Sequence, residues 1–142
     1  MKKLILTIGI LFVLCNVSGC GSDSHEAYVK DMIDVLKDAR RALAKIAEAK
    51  KRGEQEAAKK AKEVAPELRE AGERLRSIQR KAENLKEPLS EDEKKRLTKE
   101  WRDKFQEAMK NVAAEWDAVK DIKGVRETLD REGALVNWGA PR

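Results

Sequence analysis

The stretch KRGEQEAAKKAKEVAPELREAGERLRSIQRKAENL, residues 51–85, decides the fold. Its apolar positions are Ala57, Ala61, Val64, Leu68, Ala71, Leu75, Ile78, Ala82 and Leu85. They recur in alternating steps of four and three, which makes the one-sided stripe of an amphipathic helix. Glu56–Lys60 and Glu70–Arg74 are opposite charges four residues apart and support the same helix. Pro66 lies inside the pattern. It lacks a backbone donor and crowds the preceding turn, so a kink or local break is expected near Val64–Ala65.

Upstream, Val29, Met32, Leu36, Ala39, Leu43 and Ile46 form a second stripe with the same spacing. Asp23 and Glu26 match the capping box that opens a helix, with Asp in place of the usual Ser or Thr. Lys50, Lys51 and Arg52 close the helix where cations suit the negative end of its dipole, and Gly53 is a stop signal. Continuing the first stripe through Gly53 puts Lys50, Gly53 and Lys60 in apolar slots. The two stripes are therefore out of phase, and a hairpin is expected at Gly53 rather than one long helix.

Downstream, Glu87-Pro88-Leu89-Ser90 breaks the chain, and Ser90 with Glu93 makes a capping box. A third stripe follows at Leu97, Trp101, Phe105, Ala108, Val112, Trp116 and Val119, with Gly124 as its stop. Glu91–Lys95, Asp92–Arg96 and Glu100–Lys104 support the outer face. Val125–Arg131 fits two further turns. The expected architecture is all-α: an up-down-up three-helix bundle of long amphipathic, coiled-coil-like helices, about 24–52, 54–86 and 91–123, within a domain 25–131. A short C-terminal helix precedes an irregular tail, 132–142, in which Trp138 is expected to fold back on the bundle. The alternative is an extended hairpin that completes its core by dimerising, which makes a homo-oligomer an expected partner.

The beginning of the chain has a different character. Lys2 and Lys3 precede an apolar core, Leu4–Val17, of 14 residues. That is the length of a signal-peptide core and short of the roughly 20 residues of a membrane span. Val17-Ser18-Gly19-Cys20 follows and resembles the lipobox of bacterial lipoproteins, an aliphatic residue and two small ones before a cysteine. The resemblance covers residues 1–20 alone. It implies that residues 1–19 are a cleaved lipoprotein signal peptide and that Cys20 is the lipidation site. There the thiol would carry a palmitate-class acyl lipid and the new amino terminus a further chain. Two or more acyl chains hold firmly where one holds marginally. Residues 20–24 would be the lipidated tether, which keeps the domain close to the membrane. Gly21 stands where similar lipoproteins retained at the inner membrane carry Asp. The expected location is thus a bacterial cell envelope, on the periplasmic face of the outer membrane if the organism has two membranes.

Charge and composition bound the rest. The chain has 142 residues, and losing 19 leaves 123, enough for one core. Lys2 and Lys3 leave with the signal, so the mature part carries 29 basic and 26 acidic side chains, net +3. Nucleic acid is not an expected partner, because such binding needs clustered excess positive charge. Cys15 and Cys20 are the only cysteines, so no disulfide is expected in the mature domain. His25 is the single histidine and lacks the companions that a metal or haem site requires. No cofactor is expected. Ser22, Ser24, Ser77, Ser90, Thr98, Thr128 and Tyr28 have no histidine at helical spacing and no nucleophile elbow around them. The many carboxylates are those of a solvated helix surface. A non-catalytic protein is expected.

Two features remain as interaction candidates. Lys50, Lys51, Arg52, Lys59, Lys60 and Lys62 stand against only Glu54 and Glu56, net +4 over residues 50–62. A helix rising from the anchor would hold this tip about 45 Å from the membrane, where it suits an acidic cell-wall polymer or an acidic envelope protein. Trp101, Phe105 and Trp116 could also line an apolar slot, although their shared stripe with Val112 and Val119 favours a packed core. The function expected from these residues is a lipid-anchored helical structural or protein-interaction module. The alternative is a carrier or sensor that binds a small apolar ligand or lipid between the helices.

Overall fold

The computed structural model describes residues 22–83, 90–136 and 138. All regular structure among the described residues is helical. Helix α1 is Ser22–Lys50, α2 is Glu54–Glu83, α3 is Glu91–Val119 and α4 is Val125–Arg131. Helix α1 packs along both α2 and α3, while α4 packs on α2. No described helix is long and apolar enough to cross a membrane. Residues 1–21, with the apolar run and Cys20, lie outside the described residues, as do Glu87-Pro88-Leu89 and the side chains of His25, Glu93 and Leu97.

Helix α1 begins inside the stretch 20–24 expected to be the tether. Ser22, Asp23 and Ser24 are already helical, because helix propagation from a long packed segment costs little per residue once nucleated. The turn that ends α1 is tight. Lys51, Arg52 and Gly53 donate their amides to the carbonyls of Glu48, Ala49 and Lys50 at 3.2, 3.0 and 2.9 Å. Gly53 takes φ +126°, a conformation that strains any L side chain. Its carbonyl then accepts from Ala57 at 3.1 Å to begin α2.

The buried surface of α1 is wider than its sequence stripe. Ile33, Val35, Ala42 and Ala49 are buried in addition to Met32, Leu36, Ala39, Leu43 and Ile46. At 100° per residue these positions span an arc of about 200°, twice the width of an ordinary amphipathic face. The reason is that α1 carries a neighbour on each side. Helix α3 of the same chain occupies the side of α1 that a dimerised hairpin would leave to a second copy. Among the described residues, Val136 is the one large hydrophobic side chain left exposed, at 55%.

Of the kink or local break expected at Pro66, the break is absent: α2 is one helix, Glu54–Glu83. Pro66 is exposed, whereas Val64, Ala65 and Leu68 around it are buried. The forfeited backbone hydrogen bond is offset by the burial of these neighbours on the core side of the helix. Helix α3 ends at Val119 rather than near 123. Ile122 and Val125 are both buried, one in the turn and one at the start of α4. The chain instead folds through Lys120–Gly124, with the amides of Ile122 and Val125 donating to the carbonyls of Val119 and Ile122 at 3.1 Å each. Gly124 takes φ +81°, and a Cβ there would lie 3.4 Å from that of Ala58. The turn and α2 thus approach as closely as two small residues allow.

The start of the tail is more ordered than its Gly and Pro content suggests. Gly133 (φ +69°) donates to Asp130 at 2.9 Å, and Ala134 donates to Leu129 at 2.9 Å. These two bonds form a Schellman motif, completed by the buried pair Leu129 and Ala134. Leu135 is buried as well, and the indole Nε1–H of Trp138 donates to the Leu68 carbonyl at 3.0 Å. Trp138 therefore docks on α2. W138F should lower stability by about 1 kcal/mol, the worth of one part-buried hydrogen bond. W138A should cost about 2–3 kcal/mol because the ring contact goes too. Urea denaturation distinguishes the two steps; equal stability of W138A and wild type would contradict the docking.

Candidate functional site

The basic turn is partly neutralised by its neighbours. Lys51 pairs with Glu48 at 2.7 Å, and Lys60 pairs with Glu63 one turn on. The carboxyl of Glu63 is held below its ordinary range, first by the Lys60 hydrogen bond and charge, then by Lys59 and Arg52. Arg52 from the turn and Lys59 and Lys60 from α2 thus act on one carboxylate. That pair's contribution is present above the unfolded carboxylate range and is lost as acidification passes the lowered value. Glu63 is fully solvated, so the contribution is that of a surface pair. Lys50, Arg52, Lys59 and Lys62 have no ion pair within 4.0 Å among the described residues. Counting Glu48 and Glu63 brings the tip from +4 to +2, because the acids that matter lie just outside the 50–62 window.

A second segment reaches the same end of the molecule. The Lys120–Gly124 turn sits against Ala58 and brings Lys120, Asp121 and Lys123 there. Asp117 accepts from Lys120 at 2.7 Å and holds the lysine proton more tightly than usual. This segment contributes both signs, so the tip is a mixed surface with a cationic excess.

Two grooves flank α1. The one toward α2, about 310 Å³, is lined by Asp38, Arg41, Lys45, Glu67, Glu70 and Arg74. Its charges satisfy one another: Asp38 accepts from Arg41 at 3.2 Å and Arg74 at 3.3 Å, and Lys45 donates to both Glu67 oxygens at 2.9 and 2.8 Å. Exposed pairs of this kind are worth about 0.2–1 kcal/mol each and fix register more than stability. The groove toward α3, about 420 Å³, has Ile33, Leu36, Trp101 and Ala108 among its lining residues. Lys104 holds its ammonium 4.6 Å from the centroid of the Trp101 ring.

Of the three aromatics expected in a slot, only Trp101 lines this groove. Phe105 is buried in the core, and Trp116 is half-buried against it. Lys30, Asp34, Lys37 and Arg40 join the groove from the polar flank of α1 and Lys104, Glu107 and Asn111 from that of α3, where a single-helix pattern holds no sign of a shared cavity. No group of three or more His, Cys, Asp or Glu side chains is placed to hold a metal ion among the described residues. Cys20 lies outside them. Compared with models of protein families, with curated proteins and with solved structures, the chain matches none. Its geometry and its first twenty residues are therefore what bear on function.

Proposed function

We propose that the chain is a lipid-anchored, non-catalytic cell-envelope protein, in which a helical bundle serves as a structural or protein-interaction module close to the membrane. The observation that carries this reading is the order Lys2-Lys3, Leu4–Val17, Val17-Ser18-Gly19-Cys20 directly ahead of a helix that begins at Ser22. Only Gly21 would separate the acylated residue from α1, so α1 would stand on its anchor with little slack.

An up-down-up course belongs to the same proposal. Contacts between α1 and α2 advance in opposite directions, with Asp38 reaching Arg74 and Lys45 reaching Glu67. Contacts between α1 and α3 rise together, from the Lys30–Trp101 end of their groove to Arg40 with Glu115 at 3.5 Å. In this arrangement the Lys50–Gly53 turn points away from the membrane. Arg52 and Lys62 there are free to meet an acidic envelope protein or wall polymer.

Intact mass of the chain purified from a bacterial host that processes lipoproteins tests the anchor. Residues 1–19 should be absent and acyl mass present on the remainder. Cys20→Ala should abolish the acyl mass and release the protein from the membrane fraction. Retention of an unmodified Cys20, or membrane association unchanged by Cys20→Ala, refutes the anchor. Photo-crosslinkers at Arg52 and Lys62 test the tip; in cells they should trap a discrete partner that a crosslinker at Arg69 does not, and identical products from all three positions refute it.

A further inference from the structure

The charges of the tip are not evenly compensated. Lys51, Lys60 and Lys120 are each paired, with Glu48, Glu63 and Asp117. Glu54 and Glu56 stand in the first turn of α2, where the positive end of the helix dipole offsets their charge. Asp121 acts on Lys120. Lys59, Lys62 and Lys123 are exposed and have no ion pair within 4.0 Å among the described residues. The neighbours of Lys62 three and four residues along α2 are Ala58, Lys59, Ala65 and Pro66, so no carboxylate of its own helix faces it.

These three lysines flank the place where the two segments of the tip touch. Ala58 is one turn from Lys62 on the same face of α2. Gly124 follows Lys123, and a Cβ on it would lie 3.4 Å from that of Ala58. Two small residues thus form a saddle, with lysines of α2 on one side and a lysine of the turn on the other. Nothing apolar rises from it. Residues 50–63 and 120–124 contain no aromatic side chain, Ile122 is buried, and the exposed Val136 lies in the tail. Protein interfaces are held by aromatic, arginine and apolar anchors, which this saddle lacks. Exposed ion pairs are individually weak, and they become effective when many are engaged together, as between an anchored array and a polymer with a charge on each repeat.

We propose that Lys59, Lys62 and Lys123 bind the carboxylates of the peptidoglycan wall across the Ala58–Gly124 saddle. A wall glycan with peptide stems offers such carboxylates at regular intervals and asks for no apolar pocket. Helix α1 has 29 residues, about 44 Å at helical rise, which is the reach from anchor to wall. That reach rests on the anchor proposed above, whereas the lysine saddle itself does not.

The test uses the full chain, purified from a host that processes lipoproteins and held in nanodiscs of neutral phosphatidylcholine. It is co-sedimented with peptidoglycan sacculi stripped of protein and of phosphate-bearing polymers. Wild type should pellet with the sacculi at low salt and lose that association at about 0.5 M, where screening reaches only a few ångströms. Sacculi whose carboxylates are capped as amides should retain about fivefold less protein. K62E/K123E should lower binding about fivefold or more. K62Q/K123Q removes the charges without reversing them and carries the test if the reversal unsettles the turn. R102E/K110E, at exposed positions of α3, makes the same change of net charge and should bind as wild type does. In cells, a photo-crosslinker at Lys62 should be recovered on a muropeptide after digestion of the wall. Equal binding to capped sacculi, unchanged binding of both Lys62/Lys123 variants, an equal loss in R102E/K110E, or a protein in place of the muropeptide would each overturn the proposal. The acyl mass of Cys20, measured on the same preparation, separates this outcome from the anchor. An unacylated chain that still binds sacculi refutes the anchor and leaves the saddle standing, and an acylated chain that does not bind refutes the saddle alone.

Discussion

L36A should destabilise the domain by about 3 kcal/mol, within the roughly 2–5 kcal/mol range for removing a buried leucine side chain. Leu36 is fully buried and sits near the centre of the arc that α1 shares between its two neighbours. Truncation there opens a void which neither flanking helix fills without abandoning contacts along its length. The neighbouring core is rich in alanine, at Ala39, Ala42, Ala61, Ala65 and Ala71, and short side chains have no spare reach to collapse inward. Urea denaturation of the chain lacking residues 1–19 should show a lower midpoint at unchanged slope. An exposed control such as R69A should stay within about 0.5 kcal/mol of wild type. A loss under 1 kcal/mol for L36A would contradict the central position assigned to α1.

L129A should cost a comparable 2–4 kcal/mol at its own site but release a smaller region. Helix α4 has 7 residues, too few to persist in water without tertiary contacts. Leu129 is fully buried, anchors α4, and supplies the carbonyl that closes the Schellman turn to Ala134. Its removal should loosen residues 125–138 together, including the Trp138 contact with Leu68. Hydrogen exchange should show lost protection there while α1 keeps its own. Uniform loss of protection over all four helices would mean instead that the C-terminal segment folds as one unit with the rest.

The helical class was legible in the stripes, since Ala57, Ala61, Val64, Leu68, Ala71 and Leu75 are all buried as their spacing requires. The out-of-phase stripes across Gly53 likewise located the turn. What a single helix pattern withholds is the number of neighbours. Ile33, Val35 and Ala42 look like ordinary flank positions until α2 and α3 are both placed against α1. That α2 continues through Pro66 was not legible, because local propensity says nothing of the packing at Val64, Ala65 and Leu68. The earlier end of α3 rests on the Lys120–Gly124 turn and its close approach to Ala58, which the α3 stripe does not contain. The tip was read as more basic than it is because Glu48 and Glu63 lie beyond the counted window, though each is within one turn of its lysine. Trp101 could not be assigned to a groove from α3 alone, because the facing wall belongs to a helix about 70 residues earlier.

The position of α1 between α2 and α3 bears on how the protein would carry load. With Cys20 anchored as proposed, a pull on the domain enters at Ser22 and runs along the axis of α1. Sliding that helix out loads its contacts with both neighbours in parallel, a shear geometry in which many side chains resist at once. A pull on the C-terminal end instead peels Trp138, the Schellman turn and α4 from α2 one after another. The same fold would thus be mechanically stiff toward its anchor and compliant at its opposite terminus, a polarity suited to a component held by one end.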